Sequence, residues 1–325
     1  MTTFKGIRGT AIQVVSSDPS NPELGQIWYN SSSGTLKGYK TVNAWSSGGN
    51  LNTARYIISA AGTQTDALAF GGYTTSPSSA SESYNGTAWT NTPSMSTSAY
   101  GRGPAGASSS SVIAFGGQIA SPPYFTSATE SFNGTSWTTL PATMNTGRYS
   151  QAGIGTQTAA LAAGGFEPPG DTPSNKSESY NGTSWTNTPN LNTARGYIAG
   201  SGRGTQTAAI VFGGSGPSAA TESWNGTSWT TVNSLNTSRK QLGGTGTQTL
   251  AIAFGGFTSD PTAVGSTELW NGTSWTSNPT GLSTARGNSG SAGTQTSALC
   301  TGGNPPTTAA TEEWNSVATK TITVS

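Results

Sequence analysis

A pair of adjacent glycines closes one apolar run after another along this chain, and no other feature restricts its fold so tightly. The pairs are Gly71-Gly72, Gly116-Gly117, Gly164-Gly165, Gly213-Gly214, Gly255-Gly256 and Gly302-Gly303, spaced 45, 48, 49, 42 and 47 residues apart. A period in this range marks a solenoid, a propeller or another array of supersecondary units. Downstream of each pair stands a Glu and then an aromatic: Glu82/Tyr84, Glu130/Phe132, Glu178/Tyr180, Glu222/Trp224, Glu268/Trp270 and Glu312/Trp314. Five of these units continue into Asn-Gly-Thr and a second aromatic, at Trp89, Trp137, Trp185, Trp229 and Trp275.

Each part of the unit predicts a strand or a turn. Thr207-Ala208-Ala209-Ile210-Val211-Phe212 is continuously apolar over most of its length, as in a strand buried on both faces. Gly-Gly ends that strand and lets the backbone turn or approach a neighbour. Tyr180-Asn181-Gly182-Thr183-Ser184-Trp185 predicts two short strands around an Asn-Gly hairpin turn. Small residues ahead of the apolar strand, as in Gly196 to Gly202, suit an innermost strand where blades crowd an axis. Four strands per unit is the content of one propeller blade. With 32% apolar and 8% charged residues the chain is polar overall, but ten Trp compensate. Each buried Trp removes roughly 150–250 Å² from water, on the order of 4–6 kcal/mol gross.

Gly-Gly, an aromatic, a Trp about 20 residues on and an Arg opening the next unit together resemble the kelch repeat over residues 49–316. No His follows the Arg, where kelch sequences often carry one. The resemblance implies an all-β, single kelch-like β-propeller domain spanning 1–325. Residues 1–48 would supply N-terminal strands of the closing blade and a possible attachment segment, and 317–325 a closing strand. Gln26-Ile27-Trp28-Tyr29-Asn30 reads as a third strand and Ala44-Trp45-Ser46 as a fourth, with Thr35–Tyr39 inserted between them. The ring is then closed by N- and C-terminal strands. Dividing 325 residues by the repeat period makes seven blades the preferred count, with six plus an N-terminal extension as the alternative.

Function classes are removed mainly by what is missing. The chain has no His, which takes away Ser-His-Asp catalysis, His-based metal sites and imidazole acid–base work. No cofactor, metal site or catalytic residue is expected. Six of the 13 acidic residues recur once per unit, and Arg55, Arg148, Arg195, Arg239 and Arg286 do the same, so both sets are read as structural partners. In the second unit Ala99 stands at the Arg position and Arg102 lies three residues later. Asn85, Asn133, Asn181, Asn225 and Asn271 stand in Asn-x-Thr sequons that the hairpin turns already explain. Cys300 aligns with buried strand positions, and Glu313 reads as an exposed neighbour of Glu312. A net charge of +1 with scattered cations excludes a nucleic-acid partner, and no apolar run is long enough for membrane insertion. Nor does Met1-Thr2-Thr3-Phe4-Lys5 have the apolar stretch of a secretory signal.

Internal comparison points to where function sits. Gly-Thr-Gln-Thr, Asn-Gly-Thr and Leu-Asn-Thr-Ala-Arg are nearly copied from unit to unit, whereas the loop after Gly-Gly is not. These loops carry Pro122-Pro123, Pro168-Pro169 and Pro305-Pro306, and the aromatics Tyr73, Tyr124, Phe125, Phe166 and Phe257. Variable loops on a rigid scaffold are the usual seat of recognition. The five aromatics are therefore the candidate binding residues, on one face suited to a host-surface glycan or protein. The stretch from Ser16 to Asn30 resembles a segment of phage tail and fibre proteins, and the Ser/Thr/Asn/Gly-rich make-up is similar to kelch-like virion proteins of marine phages. That resemblance implies a non-enzymatic structural or recognition protein on the virion surface, in a tail, fibre or capsid appendage. Its partners would be other virion proteins and the host surface, and it would be extracellular on release. The alternative is an extracellular carbohydrate-active propeller enzyme, of glycosidase or lyase type.

Overall fold

The computed structural model describes residues 12–23 and 25–322, which form strands and turns with no helix. Two compact units result: Trp45–Trp314, and Met1–Ala44 together with Asn315–Ser325.

In the larger unit, five sheets are four-stranded antiparallel meanders. The first joins Ser59–Gly62, Ala67–Phe70, Ser81–Tyr84 and Trp89–Thr92, and the second Gly103–Ser108, Ser111–Phe115, Thr129–Phe132 and Trp137–Leu140. Ala152–Thr156, Ala159–Ala163, Ser177–Tyr180 and Trp185–Thr188 make the third; Ala199–Gly200, Ala209–Phe212, Thr221–Trp224 and Trp229–Val232 the fourth. The fifth comprises Gly243–Gly246, Ala251–Phe254, Thr267–Trp270 and Trp275–Asn278. In the sixth, Gly290–Gly293 and Ser297–Thr301 are followed by the start of Thr311–Thr321 and then, as outer strand, by the end of Thr35–Ser47. Gly48 N–H accordingly donates to Thr311 O at 2.9 Å. First strands of consecutive sheets touch, and the first strand of the sixth sheet touches that of the first. The architecture is all-β and β-propeller-like.

Sheets of this kind number six among the described residues, where seven was the preferred division of the chain. Trp45 does occupy the expected outer-strand position. Ile27–Asn30, expected as a third strand, instead pairs in parallel with Gln13–Val15 and antiparallel with the start of Thr35–Ser47. These belong to the smaller unit, where the Asp18 carboxylate accepts from Trp28 Nε1 (3.1 Å), Asn30 Nδ2 (2.7 Å) and Lys37 Nζ (2.7 Å). Those donors, led by Lys37, hold the Asp18 pKa down at about 2.

Four devices repeat through the larger unit. All six Gly-Gly pairs have positive φ at both residues, a conformation that costs glycine little. The second glycine of each pair donates its N–H to a carbonyl of the next sheet, for example Gly165 to Arg195 O at 2.8 Å. Each framework Arg meets the Glu on the third strand of its own sheet: Arg55–Glu82 (2.7 Å), Arg148–Glu178 (3.0 Å), Arg195–Glu222 (2.7 Å), Arg239–Glu268 (2.8 Å) and Arg286–Glu312 (2.5 Å). Arg102, three residues out of register, still reaches Glu130 at 2.6 Å. These pairs are buried, and the second carboxylate oxygen of each Glu accepts a backbone N–H, as from Asn52 to Glu82 at 2.6 Å. Ion pairs so deeply placed depend on such added bonds. The carboxylate oxygens are answered, whereas each guanidinium leaves at least one buried nitrogen without a partner among the described residues, Nε in five of them and Nη2 in Arg286.

The other two devices join neighbouring sheets. Gln of the Gly-Thr-Gln-Thr turn donates to carbonyls of the preceding sheet: Gln157 to Phe132 O (2.7 Å), Gln248 to Trp224 O (2.6 Å) and Gln295 to Trp270 O (2.5 Å), with Gln206 on Tyr180 O. Gln64 of the first sheet does the same to the sixth, at Ala298 O (3.0 Å) and Trp314 O (2.7 Å). The second sheet has Ser108–Ser111 in place of that turn, and Ser109 N–H uses the Asp66 carboxylate instead at 3.1 Å. Outer-strand Trp indoles donate to a Thr of the preceding sheet: Trp89 to Thr311, Trp185 to Thr129 and Trp45 to Thr267 at 2.9 Å, and Trp275 to Thr221 at 3.1 Å.

The Asn-Gly hairpins differ in detail from a two-residue turn. Tyr180 pairs with Trp185, so the connection is four residues long. Asn181 Oδ1 accepts from Thr183 N–H (3.0 Å) and Ser184 N–H (2.9 Å), while Gly182 carries φ 94°. Cys300 is fully buried, and desolvation raises its pKa.

Candidate recognition site

The loops after Gly-Gly all leave from the sheet end at which the first strands begin. Just ahead of those strands lie Ile57, Gly101, Ser150, Tyr197, Gln241 and Asn288, and every one has φ between 49° and 62°. Five of the six are not glycine, and Ile57 is β-branched, so this left-handed conformation is imposed by the surroundings. A set of backbone hydrogen bonds does so. Gly101 N–H donates to Ile57 O (3.1 Å), Ser150 to Gly101 O (2.7 Å), Gln241 to Tyr197 O (3.1 Å) and Asn288 to Gln241 O (2.9 Å). These residues rim a cavity of about 130 Å³ that runs along the first strands.

The far end of that cavity is crossed by an insertion in the fourth sheet. Gly155 N–H donates to Gly202 O (3.3 Å), Arg203 N–H to Gly246 O (3.0 Å), and Arg203 Nη1 reaches Ala107 O in the second sheet (2.8 Å).

Around the near end runs an unbroken arc of aromatic rings. Tyr56 meets Tyr73 (centroids 5.5 Å), Tyr73 meets Tyr100 (5.3 Å) and Tyr100 meets Tyr149 (6.0 Å). Tyr149 in turn touches Phe125 (5.6 Å), Phe166 (5.3 Å) and Tyr197 (6.4 Å). Edge-to-face and tilted arrangements of this kind are the favoured ones for ring pairs. Burial raises the phenol of Tyr100 to about 12 and that of Tyr149 further, with Tyr197 and Asp171 adding to both. The hydroxyls at the centre of the arc are thus kept protonated.

Of the five aromatics singled out in the sequence, Tyr73 and Phe125 belong to the arc and are half-buried, and Tyr124 is 49% exposed. Phe166 and Phe257 are 6% and 5% exposed, so they are packing residues rather than projecting ones. The reason lies in the next sheet: a Cβ on Gly196 would come within 2.1 Å of the Phe166 ring, and one on Gly287 within 2.5 Å of the Phe257 ring. Each Phe fills the space its facing glycine leaves open. Tyr56, Tyr100, Tyr149 and Tyr197 were not anticipated as site residues. Their signal was present: they are the residues one or two places beyond the framework position at Arg55, Ala99, Arg148 and Arg195, where the other units carry Lys240 and Gly287.

Charge on this face is sparse. Lys176 pairs with Glu167 at 2.7 Å and Lys240 with Asp260. Among the described residues of the larger unit, Arg203 is the one cation without a carboxylate partner. Asp171 sits at the tip of the hairpin between Phe166–Glu167 and Thr172–Pro173, where its charge raises the phenols of Tyr100 and Tyr149, and it has no hydrogen-bond partner among the described residues. No protein-family model and no curated protein matches this sequence.

Proposed function

We propose that the larger unit is a ring of six kelch-like blades, clasped by the N-terminal outer strand at Trp45, that serves as a non-enzymatic recognition module of a bacteriophage particle. One observation carries the recognition reading. The side chains that repeat from sheet to sheet are consumed in buried ion pairs and interlocking hydrogen bonds, whereas those that differ collect at one end as the tyrosine arc and its loops. A rigid scaffold presenting a non-repeating, aromatic surface is suited to binding another molecule. The virion assignment follows from the resemblance of Ser16–Asn30 and of the overall composition to phage tail and appendage proteins, with host-surface glycan or protein and other virion proteins as partners. The test is adsorption competition: cells are preincubated with purified protein, and phage that still attach are counted. Dose-dependent blocking is expected. Undiminished adsorption in the presence of folded, saturating protein would remove the host-binding role.

A further inference from the structure

We infer that Tyr56, Tyr73, Tyr100 and Tyr197, with the Asp171 carboxylate, form a binding site for a saccharide that carries no acidic group. This deepens the recognition reading and rests on it.

A pyranose offers an apolar C–H face and a rim of hydroxyls, so it needs a flat apolar surface beside donors and acceptors. The four tyrosines are half-buried, joined directly or through Tyr149, and lie beside the cavity rim that Tyr197 itself lines. Each presents ring area together with a hydroxyl that both donates and accepts. Asp171 has both carboxylate oxygens available, and an ionised carboxylate accepts strong, short hydrogen bonds from hydroxyls. Its hairpin starts at Phe166, which packs on Tyr149, so the carboxylate stands at the tip of a hairpin fixed at its base to the arc.

Charge decides the class of saccharide. The lysines on this face are ion-paired, the six framework arginines are buried against glutamates, and Arg203 lies at the opposite end. A sulfate, phosphate or uronate would therefore find no free cation and would meet the Asp171 charge. Neutral and amino sugars meet no such penalty. One further pair of polar side chains fits the same ligand: Asn288 and Asn304 hold each other at 2.9 Å beside the rim.

The experiment is a binding panel on the full chain, using immobilised neutral hexose and N-acetylhexosamine oligosaccharides, amino-sugar oligosaccharides, and sulfated and uronic-acid oligosaccharides. Binding confined to the non-acidic members is expected, with at least a tenfold loss in Asp171→Asn and in Tyr100→Ala. Leu250→Ser, an exposed change at the opposite end, should bind as the parent does. Near-ultraviolet circular dichroism checks that the variants are folded, and Asp171→Asn, at an exposed loop tip, guards against a Tyr100→Ala that fails to fold. Retention on acidic members alone, on no member, or unchanged by Asp171→Asn overturns the assignment. Adsorption competition with the same proteins separates the two readings. Protein that blocks phage attachment yet binds no saccharide leaves the recognition face standing and removes its saccharide ligand; protein that does neither removes both.

Discussion

Gly303 donates its backbone N–H to the carbonyl oxygen of Arg55 at 2.8 Å, so the last Gly-Gly turn of the chain hangs on the first framework arginine. The same bond joins Gly117 to Arg148 (2.7 Å) and Gly256 to Arg286 (2.9 Å), between sheets that are neighbours in sequence. The seam between sixth and first sheets thus carries the same glycine bond as the other seams. Tyr84 Oη adds a contact peculiar to it, donating to Glu313 Oε1 at 2.6 Å, so Glu313 is engaged rather than a mere exposed neighbour of Glu312.

Gln64→Ala tests that seam. The change strips donors from Ala298 O and Trp314 O in a buried setting, and leaving buried acceptors unpaired costs about 1–3 kcal/mol each. A loss of about 2–4 kcal/mol is expected, similar to that of Gln248→Ala, from urea unfolding midpoints at constant m. A neutral Gln64→Ala beside a costly Gln248→Ala would mean that the seam is open in solution.

The Arg195–Glu222 pair should behave as a unit. Arg195→Met alone leaves a buried carboxylate without its cation, for which about 3–5 kcal/mol is typical. Arg195→Met combined with Glu222→Leu should cost less than the two single losses added together. A double-mutant cycle by denaturant unfolding measures the coupling. Zero coupling would falsify the pairing.

The seams are not equally well made. Among the described residues Trp137 Nε1 and Trp229 Nε1 have no partner, and neither do Ser81 Oγ and Ser177 Oγ, the residues at the Thr position of the preceding sheets. Four other indoles find a Thr hydroxyl there. Ser81→Thr and Ser177→Thr should each stabilise the protein by about 0.5–1.5 kcal/mol, the worth of a typical internal hydrogen bond. Thr221→Ser, which loosens the hydroxyl that serves Trp275, should destabilise it. Unfolding midpoints decide both directions.

High pH should weaken the fold. Burial holds the Tyr100 and Tyr84 phenols at about 12, the latter helped by its bond to Glu313, and Tyr149 is raised as well. A folded-state pKa above the unfolded value near 10 means that the folded protein keeps a proton the unfolded chain has lost. Their contribution is therefore fully present below about pH 10 and disappears as pH climbs toward 12. Melting temperatures should be level from pH 7 to 9 and then fall, and Tyr100→Phe should lessen the fall. Equal slopes in parent and Tyr100→Phe would show that Tyr100 titrates normally.

What could be read in advance divides by whether it repeats. Gly-Gly, Glu, Trp and Arg recur once per unit, so their roles follow from counting, and the displaced Arg102 is visible in the sequence as an exception that still reaches Glu130. The N-terminal region misled because Ile27-Trp28-Tyr29-Asn30 has the composition of a third strand, whereas its pairing depends on Gln13–Val15, a partner with no counterpart in the repeat. The tyrosine arc was half legible. Tyr73 and Phe125 stood out as loop aromatics, but Tyr100 and Tyr149 adjoin the framework position and were absorbed into it. Phe166 and Phe257 looked exposed because the residue that buries each belongs to the following unit.

That last relationship can be exercised directly. Phe166 lies over Gly196 and Phe257 over Gly287, whereas the fourth unit sets Ser215 against Lys240. At these three seams a large residue on one side is matched by a smaller one on the other, whereas at the first seam two large rings, Tyr73 and Tyr100, meet edge to face. Gly196→Lys alone forces a side chain into the Phe166 ring and should cost about 1–3 kcal/mol, the usual penalty of overpacking. Phe166→Ser alone opens a void beside Tyr149 and Tyr197 and should cost about 3 kcal/mol or more. The two together reproduce the Ser215/Lys240 combination that the protein already uses one sheet further on. The double variant should therefore be more stable than the sum of the single changes allows, by at least about 1 kcal/mol of coupling in denaturant unfolding. Strict additivity would mean that the seam tolerates each side independently, and that the pairing of large with small across it is not what keeps Phe166 buried.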